Sequence, residues 1–121
     1  MEKKKTLILG ATTNPSRYGY IATSRLKKYE HEVVPVGIRE GEIEGTPILL
    51  GQPEVEDIDT ITLYLNPKRQ VPLYDYIIGL KPKRIIFNPG TENPELVNLA
   101  KENGIETEIA CTLVLLSLGE Y

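Results

Sequence analysis

The sequence predicts a three-layer α/β fold: a mostly parallel five-stranded sheet with helices on both faces. Two observations predict it. Apolar runs of strand length alternate with longer amphipathic segments in the order β-α-β-loop-β-α-β-α-β, and crossovers of helix length join parallel strands in a right-handed sense. The first apolar run, Leu7, Ile8 and Leu9, ends in Gly10, passes through a short polar turn and enters an amphipathic segment. That order sets a helix N-terminus at the carboxyl end of a strand, where a doubly wound sheet receives a phosphate.

Leu7, Ile8 and Leu9 read as a strand buried on both faces. Gly10 allows a sharp turn and the close approach of a ligand. Asn14 suits the N-cap of the first helix, and Pro15 its first position, where a missing N–H costs nothing. Tyr18, Ile21, Ala22, Leu26 and Tyr29 then recur at helical spacing. Glu30 and His31 make a polar break, with His31 expected in a surface loop. Residues 32–37 read as the second strand, in which Pro35 is more comfortable near an edge or an end than in a central ladder. Residues 38–57, broken by Gly41, Gly45, Pro47, Gly51 and Pro53, read as a connection in which Ile48, Leu49 and Leu50 pack briefly. They hold too few apolar residues for a second domain.

Residues 60–65 are a β-branched, apolar third strand that ends at Asn66-Pro67. The next helix is expected to start near Val71, because Pro72 tolerates only a first-turn place, and to turn Leu73, Tyr74, Ile77 and Ile78 inward. Lys81 and Pro82 stop it, and residues 84–87 form the fourth strand, closed by Asn88, Pro89 and Gly90. A helix opens at Asn93-Pro94, buries Leu96, Val97 and Ala100, and stops at Gly104 in a left-handed cap. Residues 106–110 are the fifth strand, and the apolar tail at 111–118 fits a short helix or an added strand. The expected strand order is 3-2-1-4-5 or a close relative, with ligands at the carboxyl edge. The Asn-Pro pairs at 14, 66 and 88 are expected to meet there as a polar rim.

At 121 residues, 40% hydrophobic and 26% charged, the chain is expected to be one soluble domain. A net charge of −3 argues against a nucleic-acid partner, which needs a basic footprint. No apolar run approaches the ~20 residues that span a membrane, and no signal-peptide core follows the basic start. With one cysteine no internal disulfide forms, which fits the cytoplasm. One His and one Cys make no metal set. Nor do His31, Ser16, Ser24 and Ser117 assemble a nucleophile, a base and an orienting acid. No catalytic residue is predicted.

The dinucleotide fingerprint G-x-G-x-x-G fails, since Thr12 stands at its second glycine and Pro15 at its third. Thr12 and Thr13 offer hydroxyl donors instead. Past the second strand stands Arg39 rather than an acid, which favours an extra phosphate, as on NADP or on the 3′-phosphate of coenzyme A. The other reading of Arg39 is a solvated charge beside Glu40 and Glu42. Arg17, expected in the first turn of the first helix, opposes the helix dipole unless an anion sits in front of it.

The strand-Gly10-Ala11-Thr12 turn with Asn14, Pro15 and Arg17, the second strand ending near Arg39, the Gly90 turn and the lone Cys111 together carry a resemblance. Over residues 5–113 the chain resembles the small CoA-binding proteins, stand-alone relatives of the CoA-binding domain of succinyl-CoA synthetase α subunits. The resemblance implies a Rossmann-like domain with the pyrophosphate of coenzyme A beside Gly10, Ala11, Thr12, Thr13, Asn14 and Arg17. By the same resemblance Gly37, Ile38 and Arg39 flank the adenosine and 3′-phosphate, while Leu65, Asn66, Pro67, Asn88, Pro89 and Gly90 line the pantetheine arm. Cys111 reads either as a small buried apolar residue or as a thiol facing the thiol of coenzyme A. The expected function is non-catalytic binding of coenzyme A or a CoA thioester. An NADP-type or other nucleotide-binding enzyme domain, and a resurfaced or designed scaffold with no retained ligand, stay open as alternatives. The expected partner is a small-molecule nucleotide, bound by a monomer or weak homodimer, with residues 113–118 packed under the sheet or at a dimer contact.

Overall fold

Six parallel strands make one sheet in the computed structural model, which describes residues 2–121. In chain order the elements are β1 (Thr6–Leu9), α1 (Tyr18–Lys28), β2 (Val33–Gly37), a hairpin of β3 (Glu42–Ile43) and β4 (Thr46–Pro47), and β5 (Leu49–Leu50). Then come β6 (Thr60–Leu63), α2 (Pro67–Gln70), a 3-10 turn (Val71–Leu73), α3 (Tyr74–Gly79), β7 (Arg84–Phe87), α4 (Pro94–Glu102), β8 (Glu106–Ile109) and α5 (Thr112–Leu118). The sheet order is β5-β2-β1-β6-β7-β8. Counting strands of this sheet alone, that is the doubly wound order 3-2-1-4-5-6, with its switch point between β1 and β6.

The sixth strand is β5, inside the stretch expected as a plain connection. Two residues, Leu49 and Leu50, carry no periodicity to detect, yet they pair with Val36 and Gly37 and take the outer edge. The strand at 60–63 therefore lies in the centre beside β1, not at the edge that an order of 3-2-1-4-5 would give it. Pro35 fits because of its neighbours. The Val36 carbonyl points to β1, where it accepts from Gly10 and Ala11, so Pro35 faces β5, whose pairing begins only at Val36.

Side chains alternate along each strand. Leu7, Leu9, Ile61, Leu63, Ile85 and Phe87 pack on one face with Ile77 of α3 and with Leu96 and Ala100 of α4. On the other face Ile8 and Ile86 meet Leu26 of α1, Leu116 of α5 and Ile43 of the hairpin. The tail at 111–118 is thus a helix with Thr112 and Leu116 buried.

Two helix starts differ from expectation for one reason: short polar side chains compete with the helix for backbone bonds. Asn14 does not cap α1. Its Oδ1 accepts from the Ser16 N–H at 3.0 Å and the Ser16 Oγ at 2.8 Å, and its carbonyl accepts the Arg17 N–H at 3.1 Å. This local turn delays α1 to Tyr18 and makes Arg17 the N-cap rather than a first-turn residue. Conversely, Asn66 does cap, accepting the Arg69 N–H at 3.0 Å, so a helix begins at Pro67 instead of near Val71. Pro72 then sits in the 3-10 turn. Asn93 caps α4 as read, its Oδ1 accepting the Leu96 N–H at 3.3 Å.

His31 is buried, not in a surface loop. Its Nδ1 accepts the Lys4 N–H at 2.9 Å, and its ring meets the Tyr121 ring edge-on at 4.9 Å. Arg84, also buried, stacks 4.5 Å from the centre of the Tyr121 ring and donates through Nε to Thr60 Oγ1 at 3.2 Å. This cluster sits at the amino ends of the strands, opposite the edge where ligands bind in such sheets.

Burial, together with the positive charges of Lys3, Lys4 and Arg84, lowers the His31 pKa below its usual value. The folded chain therefore holds the imidazole neutral, while the unfolded chain protonates it near pH ~6.5. The stability tied to this neutral ring is fully present above that pH and is lost as pH falls below it. Urea titrations at pH 7.5 and about pH 5.5 should show a lower midpoint at the acid value, and a clearly smaller drop in His31→Gln. Equal drops in both proteins would refute the assignment.

Candidate functional site

The carboxyl ends of the strands gather the segments 10–17, 37–41, 64–67, 88–91 and 110–111 on one edge. At the switch point the Tyr64 N–H donates to the Leu9 carbonyl at 2.8 Å, and a Cβ on Gly10 would stand 2.8 Å from the Tyr64 carbonyl oxygen. Gly10 has φ +101°, a conformation that favours glycine. The N–H groups of Gly10 and Ala11 both donate to the Val36 carbonyl, at 3.0 and 2.9 Å. The first turn is held between β2 and β6 from both sides.

Gly19 and Gly37 complete that enclosure. A Cβ on Gly19 would lie 2.2 Å from the Gly10 oxygen, and one on Gly37 2.3 Å from the Ala11 oxygen. In the dinucleotide fingerprint the third glycine allows close helix–strand packing. Gly19 does that here, farther along the chain because the Asn14 turn delays the helix. The sequence reading missed it, and its only signal was a glycine inside an amphipathic helical pattern. Beyond β2 the chain folds back so that a Cβ on Gly41 would stand 2.4 Å from Thr13 Cγ2. That contact sets the loop 38–41, with exposed Ile38 and Arg39, beside the first turn.

The α1 N-terminus facing this edge has no side-chain cap and no acid in its first turn. The Arg17 N–H donates to the Asn14 carbonyl and the Tyr20 N–H to the Arg17 carbonyl, both at 3.1 Å, which leaves the Tyr18 and Gly19 N–H groups at the positive end of the helix dipole. Thr12 is half-buried with Oγ1 accepting the Asn14 N–H at 3.2 Å, while Thr13, Asn14 and Arg17 are exposed. Neither Arg17 nor Arg39 makes an ion pair among the described residues. Exposed and without an ion pair, Arg39 fits both readings, the phosphate ligand and the solvated charge beside Glu40 and Glu42.

The other half of the edge is more closed. Asn88 is buried: Nδ2 donates to Thr62 Oγ1 at 2.7 Å and to the Leu63 carbonyl at 2.9 Å, and Oδ1 accepts the Thr112 N–H at 2.9 Å. Its amide lies beneath the rim, leaving exposed Pro89 and Gly90 on it. Leu65 and Pro67 are half-buried, and Asn66 is exposed with its oxygen engaged as the α2 cap. The sequence reading also missed Gln70. From a fully buried position its Nε2 bridges the Leu65 and Thr91 carbonyls at 2.8 and 2.9 Å, and its Oε1 accepts from Asn93 Nδ2 at 2.9 Å. No pattern marks a glutamine at the end of a one-turn helix, so this strut between two rim segments is visible only in three dimensions.

Cys111 is half-exposed at the start of α5. It follows β8, three strands from β1, roughly 14 Å at the usual strand spacing. The buried Tyr64 hydroxyl lies near the Thr62 and Thr112 hydroxyls, which bond each other at 2.8 Å, and makes no hydrogen bond of good geometry among the described residues. Burial pushes its pKa up to about 12, so it stays protonated and offers no base at neutral pH. The open groove of about 710 Å³ lies elsewhere, near the amino ends of the strands, lined by Lys5, Glu54, Glu56, Asp75 and Tyr76 among others. Its carboxylates repel a polyphosphate. No described helix is long and apolar enough to cross a membrane.

Sheet order, glycine turn and the switch point between β1 and β6 define a Rossmann-like α/β protein. The chain belongs to the CoA binding domain family, whose profile matches residues 4–117. It is similar to an uncharacterized protein of known crystal structure at 55% identity and a TM-score of 0.97, with both chains covered in full. A Thermus thermophilus protein shares the fold at 22% identity and a TM-score of 0.83, over 98% of this chain and 91% of that one. A hypothetical protein from Pyrococcus horikoshii does so at 24% identity and a TM-score of 0.83, over 93% and 81%. No curated protein is matched.

The Gly19 contact yields opposed magnitudes. Alanine is the better helix former by about 1 kcal/mol, yet overpacking against a backbone carbonyl costs about 1–3 kcal/mol. Gly19→Ala should therefore lower the urea midpoint. A midpoint that rises would show that α1 does not depend on this close approach.

Proposed function

We propose that this chain binds coenzyme A, or a CoA thioester, at the carboxyl edge of its sheet and performs no chemistry on it. Membership in the CoA binding domain family supports coenzyme A as the ligand. The observation that carries the placement is the uncapped α1 N-terminus with Arg17 and Arg39 unpaired beside the glycine turn. The donor set suits the group: backbone N–H groups, the Thr12 and Thr13 hydroxyls and two guanidinium groups all favour phosphate oxygens. The pyrophosphate lies against Gly10, Ala11, Thr12, Thr13, Asn14 and Arg17. Arg39 takes the 3′-phosphate, and Gly37 and Ile38, the latter 76% exposed, offer the adenine an apolar face. Leu65, Asn66, Pro67, Pro89 and Gly90 border the pantetheine arm, with Asn88 holding the turn from below and Cys111 toward its far end.

The site draws on one copy of the chain, so a single domain working as a monomer or weak homodimer suffices, and the cytoplasm is where we place it. Arg39 equally suits the 2′-phosphate of NADP, which is the reason to keep that ligand in the test.

Thermal unfolding with coenzyme A, NADP and ADP separates these readings. A ligand that binds only the folded state adds about 2.7 kcal/mol of apparent stability at a hundredfold excess over Kd. Coenzyme A should raise Tm and NADP should not. Arg17→Ala and Arg39→Ala should each weaken coenzyme A binding roughly tenfold while leaving the ligand-free Tm nearly unchanged. A shift with NADP alone would replace the reading, and no shift with any of the three would leave a scaffold without a nucleotide.

A further inference from the structure

The β3–β4 hairpin runs from the loop at 38–41 to the C-terminal half of α1, where one lysine fastens its tip. Lys27 Nζ donates to the Glu44 carbonyl at 2.6 Å, to Thr46 Oγ1 at 2.7 Å and to the Ile43 carbonyl at 3.5 Å. An ammonium has three protons, so all are engaged within the hairpin and none faces the ligand edge. Ser24, one turn earlier on α1, donates its hydroxyl to Glu44 Oε2 at 2.6 Å. The tip they hold is a two-residue turn with both φ angles positive, Glu44 at +47° and Gly45 at +85°. Such a turn favours glycine or asparagine, and a glutamate there needs support from outside.

The other end of the hairpin is the loop that carries Ile38 and Arg39. The Ile48 N–H donates to the Gly41 carbonyl at 2.8 Å, and Gly41 rests on Thr13 of the first turn. Between tip and base, fully buried Ile43 packs in the same cluster as Ala11 and Ile48. The hairpin is therefore an arm pinned at its tip by Lys27, in its middle by Ile43 and at its base by Gly41.

We propose that Lys27 is a positioning residue for the 3′-phosphate side of the site: by pinning the hairpin tip it holds Arg39 at the first turn and gives coenzyme A its preference over 3′-dephospho-coenzyme A. This rests on the coenzyme A reading above. Lys27 touches no ligand, and its influence passes through the hairpin alone.

The test pairs a ligand-free measurement with a ligand preference, in Lys27→Met, which keeps the aliphatic stem, and in Thr46→Val, which removes one contact and is the milder change. Without ligand, hydrogen exchange at the Ile48 amide should speed up in both variants. With ligand, the wild-type preference for coenzyme A over its dephospho form, roughly tenfold for one charged hydrogen-bond set, should fall toward one in Lys27→Met. Arg39→Ala should erase the same preference while leaving Ile48 exchange unchanged. An undiminished preference in Lys27→Met, or unchanged Ile48 exchange in both variants, overturns the positioning role and leaves the coenzyme A site standing. A wild-type protein that binds coenzyme A without preferring it removes the role of Arg39, and that of Lys27 with it.

Discussion

Where β1 ends, the carbonyl oxygens of Gly10 and Ala11 occupy space that Cβ atoms of Gly19 and Gly37 would need. Backbone lies directly on backbone at two points within one turn. Glycine at both points lets α1 and β2 close on the turn. The turn, anchored to the Val36 carbonyl, in turn fixes where the α1 N-terminus faces. Displacing any of the three segments moves the other two. The geometry of the first turn is thus a packing property of the core before it is a property of exposed side chains, and it sits on strands that are among the most buried of the molecule.

Charge is distributed along the same axis. The chain carries a net −3, yet the edge around the first turn presents uncapped N–H groups and two arginines without carboxylate partners. Glu54, Glu56 and Asp75 border the groove near the opposite ends of the strands. The cations near those ends, Lys3, Lys5, Lys83 and Arg84, pair with Glu30, Glu32, Asp59 and Glu108, whereas Arg17 and Arg39 have no such partner among the described residues.

The long repeating parts of this arrangement were legible from residue order. Strands at 6–9, 60–63 and 84–87 and the helix capped by Asn93 follow from apolar runs, β-branching and caps. Leu49–Leu50 did not, because a two-residue strand exists only through its pairing with Val36 and Gly37. Asn14 and Asn66 precede prolines alike, but one folds onto Ser16 and the other onto Arg69, a difference made by surroundings rather than by composition. For the candidate site, the Gly10 turn at the end of β1 and the exposure of Arg17 and Arg39 could be picked out, since a glycine and polar residues next to a strand end are informative singly. Gly19, Gln70 and the inward aim of Asn88 could not, since each acquires meaning only from a partner brought near by the fold.

The switch point between β1 and β6 has a consequence for the order in which the protein assembles. β1 pairs with β2 close by in sequence but also with β6, with residues 10–59 between them. Neither half contains the switch point, which comes into being when the long loop closes and the two halves dock, a slow kind of contact in parallel sheets. Under the proposed function, a ligand at this edge recognises only the completed topology. Half-folded chains gain nothing from its presence, so the ligand would protect finished molecules from unfolding without speeding the early steps that make them.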